Sequence, residues 1–294
     1  MSVRRRSNWY IYLLAFLIAL AFALLVVFAF RSYLFKEPAE EAGLTSAGEL
    51  SETFTPSQKH NFNIVAMLGE DKQKAPELFM LAIYNAPENT VSFVPLPFGL
   101  SVHSEGRNLP NVYAAKGGQG VADAVAGATG LSIDGYAYLD RQGFDDLATS
   151  VGNVQYDVPK TIIYTDGKAS GTINSGTQLM SADTVYSYIM LAEFEDENER
   201  FNAICDILCE LINQNYGFAD SSLLDTWAKL IMNNADTNIS AELYTAKKPA
   251  LLNTILYGSS PATYYILYGE HDADGGYTIS QTSVTTLRQK AGLE

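Results

Sequence analysis

The sequence predicts an α/β protein: a single three-layer domain with a central mixed β-sheet flanked by helices, preceded by one N-terminal transmembrane helix. Three observations support this fold class. Of the 294 residues, 47% are apolar, and 18 Tyr and 14 Phe are among them, which is enough to bury a large core. Apolar runs with strand spacing and with helix spacing alternate along residues 62–294. One long uncharged run lies near the N-terminus.

The uncharged run covers residues 9–30, WYIYLLAFLIALAFALLVVFAF. About 20 helical residues span the ~30 Å hydrocarbon core of a bilayer. A signal peptide has a shorter apolar region and a small-residue cleavage site, and a buried core helix has a polar stripe. Arg4, Arg5 and Arg6 precede the run, so the positive-inside rule predicts a cytoplasmic N-terminus at 1–8. We therefore expect a single-pass protein of the cell membrane with its main domain outside the cytoplasm.

Residues 31–61 are predicted to form an acidic linker, since 37–61 are polar and short of branched apolar residues. The formal net charge of the whole chain is −14, although residues 1–36 contain five basic groups and no acidic one. The rest of the chain is therefore strongly acidic. Such a domain is a poor partner for nucleic acid, and we expect none.

The domain is predicted to occupy residues 62–294, and its first half alternates strands with helices. The predicted strands are 62–68, 78–84, 91–96, 135–140 and 153–159. The predicted helices are 121–129, opened by the glycine turn KGGQG and ended by Gly130, and 141–151.

In the second half, Asp166-Gly167 indicates a hairpin turn. Helices are predicted around 179–192, 196–215 and 221–233, followed by a final strand pair, 262–269 and 276–282. Cys205 and Cys209 are four residues apart in an apolar helical pattern, so we interpret both as buried core residues.

Familiar catalytic motifs do not occur in the sequence. There is no nucleophile elbow, Walker A motif or H-E-x-x-H pair, and the three His are scattered. Asp272-x-Asp274-Gly275 is better explained as a hairpin tip than as a calcium loop. The acid pair Asp71 and Glu77 lies just outside apolar strands, where α/β proteins bind ligands. Two solvated loop carboxylates would give the same pattern.

Three segments carry a resemblance to a known family. They are 117–159 (GGQGVADAVAGATGLSIDGYAYLDRQGFDDLATSVGNVQYDVP), 176–190 (GTQLMSADTVYSYIM) and 234–240 (NADTNIS). Over roughly residues 62–240 the chain resembles the LytR-CpsA-Psr family of bacterial membrane-anchored proteins with one extracytoplasmic domain. The resemblance implies transfer of a glycopolymer from a polyprenyl-pyrophosphate carrier to peptidoglycan. It also implies the membrane, a polyprenyl-linked glycan and peptidoglycan as partners.

The resemblance implies a weakly bound Mg²⁺ on Asp71 and Glu77, where Glu77 replaces the Asp of the family. Three basic residues, Lys72, Arg107 and Arg200, are candidates for phosphate binding. Lys72 stands in place of an Arg, and Lys binds phosphate as a point charge rather than as a fork.

The family's charged positions are lost at Phe98, Gly99 and Met190, so we assign no catalytic residue. Pyrophosphate transfer needs its charge neutralised by Mg²⁺ and guanidinium groups, and the loss of one donor typically costs ~10²–10³ in rate. The main hypothesis is therefore a cell-envelope protein with weak or lost catalysis that binds a lipid or a glycan. One alternative is an active Mg²⁺-dependent phosphotransferase with a divergent site, and another is a non-enzymatic interaction module.

A lipid pocket is the expected remnant of the family's binding site. Its candidate lining consists of apolar side chains on the elements that flank the tail in the family: Val65, Met67, Phe79, Leu81, Phe93, Phe98, Val125, Tyr138 and Met190. The alternative is an ordinary core in which these side chains pack on one another.

Overall fold

A six-stranded mixed sheet forms the centre of the protein. The computed structural model describes residues 54–100, 108–167 and 169–293. The strands are β1 (Phe62–Leu68), β2 (Leu78–Asn85), β3 (Thr90–Pro95), β4 (Gly135–Leu139), β5 (Val154–Val158), β6 (Ile162–Asp166), β7 (Ala169–Ile173), β8 (Gly176–Met180), β9 (Asp236–Thr237), β10 (Ala262–Tyr264), β11 (Gly269–His271) and β12 (Tyr277–Ile279). The sheet order is β10-β3-β2-β1-β4-β9, with β1 antiparallel to β2 and parallel to β4. The predicted central mixed sheet is confirmed.

Helices lie between and after these strands. Within the described ranges they are α1 (Leu109–Thr129), α2 (Arg141–Val151), α3 (Ala182–Met190), α4 (Glu197–Asn215), α5 (Ser221–Asn234), α6 (Ala241–Tyr257) and α7 (Gln281–Lys290). Several begin at a capping side chain: Asp140, Ser181 and Asp220 each accept a hydrogen bond from a backbone amide of the first turn. Each cap satisfies an amide that has no partner within the helix.

The two faces of the sheet belong to two separate apolar clusters, because successive side chains of a strand point to opposite faces. On one face, Val65 and Met67 of β1 pack with residues of α1 and α7, and we call this cluster the first core. On the other face, Leu68 packs with residues of α2, α3 and α4 and of the strands β5–β8, and we call this cluster the second core. The sheet is thus covered on both sides.

Helix α1 begins earlier than the sequence indicated. Asn108 caps it and Pro110 lies in the first turn, so its first residue is Leu109 instead of Val121. The predicted glycine turn survives as one non-helical residue within the helix, Gly117, at φ 65° and ψ −166°. The predicted end is confirmed, since Gly130 terminates the helix in the left-handed conformation that favours glycine.

Two helices were not predicted, and each lacks the usual signal. Helix α6 contains Pro249, and its apolar residues are distributed around the axis instead of along one face. Helix α7 has the sequence QTSVTTLRQK, which is polar and rich in β-branched residues. The predicted helix 179–192 begins instead at Ala182, because residues 176–180 form β8 against β5.

The prediction of a final strand pair is wrong in its pairing. β10 joins the edge of the central sheet, parallel to β3, whereas β12 pairs with β11. The interpretation of the Asp272 segment as a hairpin tip is confirmed: Asp272 Oδ1 accepts hydrogen bonds from the backbone amides of Asp274 and Gly276 between these two strands. The Asp166-Gly167 turn likewise connects β6 and β7.

Residues 54–61, the last part of the predicted linker, contact the domain. Lys247 Nζ of α6 donates to the carbonyl oxygens of Lys59 and Asn61 at 2.9 and 2.8 Å. The rest of the linker and the predicted span at 9–30 lie outside the described residues. In the part of the chain that the structure describes, no helix has the length and apolar character needed to cross a membrane.

The two cysteines lie on α4, and both are buried free thiols, as predicted. Burial raises the pKa of both thiols, that of Cys209 to about 12. Both therefore remain protonated at neutral pH and pack as small apolar side chains.

Candidate functional site at the carboxyl ends of β1 and β4

The two central parallel strands end side by side, and a cavity of about 480 Å³ lies just beyond them. Leu68 is opposite Leu139 in the register, and the Gly69 amide donates to the Leu139 carbonyl at 3.2 Å. We call this space the edge cavity. It is lined by Glu70, Asp71, Lys74, Asp140, Arg141, Gln142 and Asp145. Ligands in α/β proteins bind outside the carboxyl ends of the strands, so this is the expected place for a site.

Two buried tyrosines hold the loop that follows β1. The Tyr138 hydroxyl lies 2.8 Å from the Asp71 carbonyl and 3.2 Å from the Lys74 carbonyl, and it donates to this pair. Tyr186 donates to the Gly69 carbonyl at 3.3 Å. Burial raises the pKa of both phenols, that of Tyr186 to about 12, so both stay protonated donors at neutral pH. A Cβ on Gly69 would lie 2.6 Å from the Tyr138 hydroxyl oxygen, so the loop needs a glycine there.

The described cations of this region are held by carboxylates. Lys74 lies 2.7 Å from Glu70 and Lys72 lies 3.4 Å from Asp140. Arg141 uses both terminal nitrogens, Nη1 to Asp166 at 2.6 Å and Nη2 to Asp183 at 2.7 Å.

Arg141 also lies over the ring of Tyr186, with 5.0 Å between its guanidinium carbon and the ring centroid. Its two carboxylate partners raise the pKa of the guanidinium further above its ordinary value. The sequence analysis did not select Arg141. The available signal was its position one residue after Asp140, at the end of a strand parallel to β1 and at the start of a helix.

Asp71 and Glu77 are brought to the same region. Asp71 Oδ1 accepts from the Gln73 amide at 2.9 Å, and the Glu77 amide donates to the Leu68 carbonyl at 2.9 Å. The negative charge of each carboxylate contributes to raising the pKa of Lys74 and of Tyr138, which places both within electrostatic reach of the same two side chains.

Two such oxygen donors are of the kind that Mg²⁺ takes when it retains several waters and binds substrate phosphates. Within the described ranges, no group of three or more His, Cys, Asp or Glu is arranged to hold a metal ion. Asp71 and Glu77 therefore fit, at most, a metal that is bound weakly and depends on a ligand for its remaining contacts.

Arg200 reaches this region from α4. Its Nη2 donates to the Glu77 carbonyl at 3.4 Å. Burial lowers the pKa of its guanidinium, while the charges of Glu197 and Glu77 oppose that shift. Of the three predicted phosphate-binding residues, Lys72 and Arg200 are thus near the acid pair, and Arg107 lies outside the described residues.

The positions that carry charge in the family are apolar here and pack as apolar groups. The Phe98 ring meets Phe79 edge-on at 5.9 Å between centroids and is 38% exposed. Met190 packs against the second core. Gly99 has no side chain, and its carbonyl accepts a hydrogen bond from the Tyr277 amide.

The candidate lipid-pocket residues fall into two groups. Those in the first core are close to fully buried: Val65, Met67, Phe79, Leu81, Val125 and Tyr138. Phe93 and Met190 pack against the second core, on the opposite face of the sheet. A lipid pocket therefore stays a prediction, and the sheet divides its proposed lining.

These features define a single-domain α/β protein with an acidic, ion-paired cavity at the carboxyl edge of a mixed sheet. The sequence model of the LytR_cpsA_psr family matches residues 29–257, so the chain belongs to this family. The match extends beyond residues 62–240, in which the motifs were found. The comparison with curated proteins finds no match.

Solved structures with the same fold support the assignment. A protein of Eubacterium siraeum described as a putative transcription regulator is 27% identical with a TM-score of 0.75, over 86% of this chain and 99% of that one. TagV of B. subtilis is 18% identical with a TM-score of 0.63, over 80% and 98%. A structure described as TagT bound to LIIa-WTA is 16% identical with a TM-score of 0.60, over 85% and 98%. The family is that of cell-wall glycopolymer transferases.

Proposed function

We propose that this protein is a membrane-anchored cell-envelope member of the family that binds a lipid-linked glycopolymer or a wall glycan, with weak or lost transfer activity. The observation that carries the proposal is the pairing of the cations at the edge cavity. Lys72, Lys74 and both terminal nitrogens of Arg141 lie within 3.4 Å of carboxylate oxygens. A pyrophosphate would have to displace those carboxylates to reach the same cations.

The cost of that displacement decides between binding and transfer. Transfer requires positive groups that face the phosphate oxygens, ideally as guanidinium forks. Here the fork of Arg141 is used by Asp166 and Asp183, and the positions that correspond to family arginines are Phe98 and Met190. The cavity lining also has more carboxylates than cations, which disfavours an anionic group.

The neighbours indicate the class of ligand. TagT, which shares this fold, is described bound to LIIa-WTA and to LI-WTA. We take the ligand of this chain from the same broad class, a cell-wall glycopolymer or its lipid-linked form. In this proposal residues 9–30 anchor the protein and the family domain acts outside the cytoplasm.

A second candidate is a working transferase with divergent chemistry, favoured by the contact of Arg200 with Glu77. Arg200 Nη2 at 3.4 Å from the Glu77 carbonyl leaves a guanidinium beside the acid pair. In that case Asp71 and Glu77 would hold Mg²⁺, which would supply charge neutralisation for the phosphates. Arg200 would then orient the leaving group.

The test uses the full chain in detergent with a polyprenyl-pyrophosphate-linked sugar. Native mass spectrometry measures retained lipid, and a phosphate assay measures Mg²⁺-dependent release of the carrier. We expect retention without release by the wild type. The double variant Phe98→Arg with Met190→Arg should raise release by at least ~10-fold, because each oxyanion donor is typically worth ~10²–10³.

The matched control adds two arginines elsewhere. Ile163 and Leu179 are 68% and 69% exposed, so Ile163→Arg with Leu179→Arg changes the net charge equally at solvated positions. It should leave release unchanged. Release by the wild type that Asp71→Asn abolishes would establish the second candidate, and neither retention nor release would favour the interaction module.

A further inference from the structure

Two adjoining cavities follow the first turns of α4, apart from the edge cavity. One has a volume of about 420 Å³ and is lined by residues of β5, α3, α4 and β10. The other, of about 510 Å³, is lined by the segment after β3, the start of α4 and the β11–β12 hairpin. Asn202 of α4 lines both. We call the two together the α4 furrow.

The furrow combines aromatic rings with hydrogen-bonding side chains. Tyr264, 36% exposed, lines the first cavity, and Tyr268, 66% exposed, lines the second. Below Tyr264, the hydroxyl of Tyr156 donates to Asp206 Oδ2 at 3.0 Å. This bond fixes the carboxylate at the cavity wall, and an ionised carboxylate has about four acceptor positions.

This combination fits a saccharide. A sugar ring has an apolar C–H face and a polar rim of hydroxyl groups. Exposed aromatic rings cover apolar faces with specific geometry, and carboxylate and amide oxygens accept from hydroxyl or acetamido N–H donors. Two successive cavities that share one polar residue, Asn202, provide consecutive subsites for a chain of such rings.

The charge of the furrow selects among glycans. Asp206 and Glu199 line the first cavity, and Asp196 and Glu197 line the second. Lys160, on the first cavity, lies 2.7 Å from Glu199, so its charge is already compensated. An acidic wall repels a polymer that carries phosphate groups and accepts an uncharged one.

The furrow adjoins the candidate site through α4. Glu199 lines the first cavity, and the next residue, Arg200, contacts Glu77. Pro97 lines the second cavity, one residue before Phe98. A glycan in the furrow therefore lies beside the acid pair and does not occupy the edge cavity.

We propose that the α4 furrow is a binding site for an uncharged chain of N-acetylated amino sugars. This inference rests on the proposed function, because it assigns to the same protein the second of its two polymers, the wall glycan. It names a ligand class and a surface distinct from the carboxyl ends of β1 and β4.

The experiment titrates the full chain in detergent with a tetramer of N-acetylglucosamine and, separately, with inorganic polyphosphate as an anionic polymer. We expect saturable binding of the tetramer and none of polyphosphate. Tyr264→Ala and Tyr268→Ala should each weaken tetramer binding about 5- to 10-fold, since an aromatic contact is worth about 0.5–1.5 kcal/mol and 1.4 kcal/mol is tenfold.

The matched control is Tyr257→Ala, at the end of α6, where the side chain is 72% exposed and outside both cavities. It should bind like the wild type. Absence of tetramer binding by the wild type, equal binding by all three variants, or tighter binding of polyphosphate would overturn the inference. Lipid retention is measured on the same preparations, so a failure here is distinct from a failure of the proposed function.

Discussion

The edge cavity and the α4 furrow are both acidic, but they use their charged groups differently. In the edge cavity the carboxylates bind the neighbouring cations, and tyrosine hydroxyls bind the backbone of the loop. In the furrow the aromatic rings of Tyr264 and Tyr268 are exposed to solvent. The difference indicates that substitutions at the edge cavity act mainly on stability, whereas substitutions of the furrow aromatics act mainly on ligand binding.

The largest expected effect is that of Gly69→Ala. The new Cβ would lie 2.6 Å from the Tyr138 hydroxyl, which is held by two backbone carbonyls and has little freedom to move. We expect a loss of about 2–3 kcal/mol in the free energy of unfolding, measured by urea denaturation. Gly127→Ala in α1 is the control: a Cβ there meets no atom within 4 Å, so stability should be equal or higher. Equal stability of both variants would show that the loop after β1 is not fixed.

The pH dependence of unfolding should show the buried phenols. The pKa of Tyr186 is raised to about 12 in the folded state, whereas an unfolded tyrosine ionises near 10. The unfolded chain therefore loses its proton first, and the contribution of Tyr186 falls as the pH rises from 10 to 12. Tyr186→Phe should reduce this loss by roughly 1–2 kcal/mol, measured as the change in unfolding free energy between pH 9 and pH 11.5. The control Tyr257→Phe should leave the profile of the wild type, and an unchanged profile for Tyr186→Phe would contradict the burial of this hydroxyl.

The smallest effects compare two ion pairs. Arg141→Met removes contacts with Asp166, Asp183 and the Tyr186 ring, and should cost about 1 kcal/mol. Lys160→Met in the furrow removes a pair with Glu199 at the surface and should cost less than about 0.5 kcal/mol. Thermal unfolding at low and high salt measures both. A larger cost for Lys160→Met would reverse the distinction between the two regions.

Much of the fold was predictable because its strands have strong local patterns. β1 and β2 are almost uninterrupted apolar runs, and α2 begins at the predicted Arg141 because Asp140 caps it. Helix α6 was missed because its apolar residues do not repeat on one face and it contains Pro249. The pairing of β10 with β3 was missed because strand partners far apart in sequence leave no local signal.

The candidate site was predictable only in part, for a similar reason. The positions of Asp71 and Glu77 beside strand ends were visible in the sequence, and so was a place for Arg200. The role of Arg141 depends on Asp166 and Asp183, which are 25 and 42 residues away along the chain. Such partners meet only after the strands and helices have packed, so no spacing rule predicts them.

The position of β10 at the edge of the sheet has a consequence for the folding of the chain during synthesis. β3 ends at Pro95 and its outer partner begins at Ala262, so about 170 residues must be made before that edge is covered. At about 5–20 residues per second this takes roughly ten to thirty seconds, during which an apolar strand has an unpaired edge. Unpaired strand edges are sites of intermolecular pairing, so the nascent chain is open to aggregation until one of its shortest strands arrives.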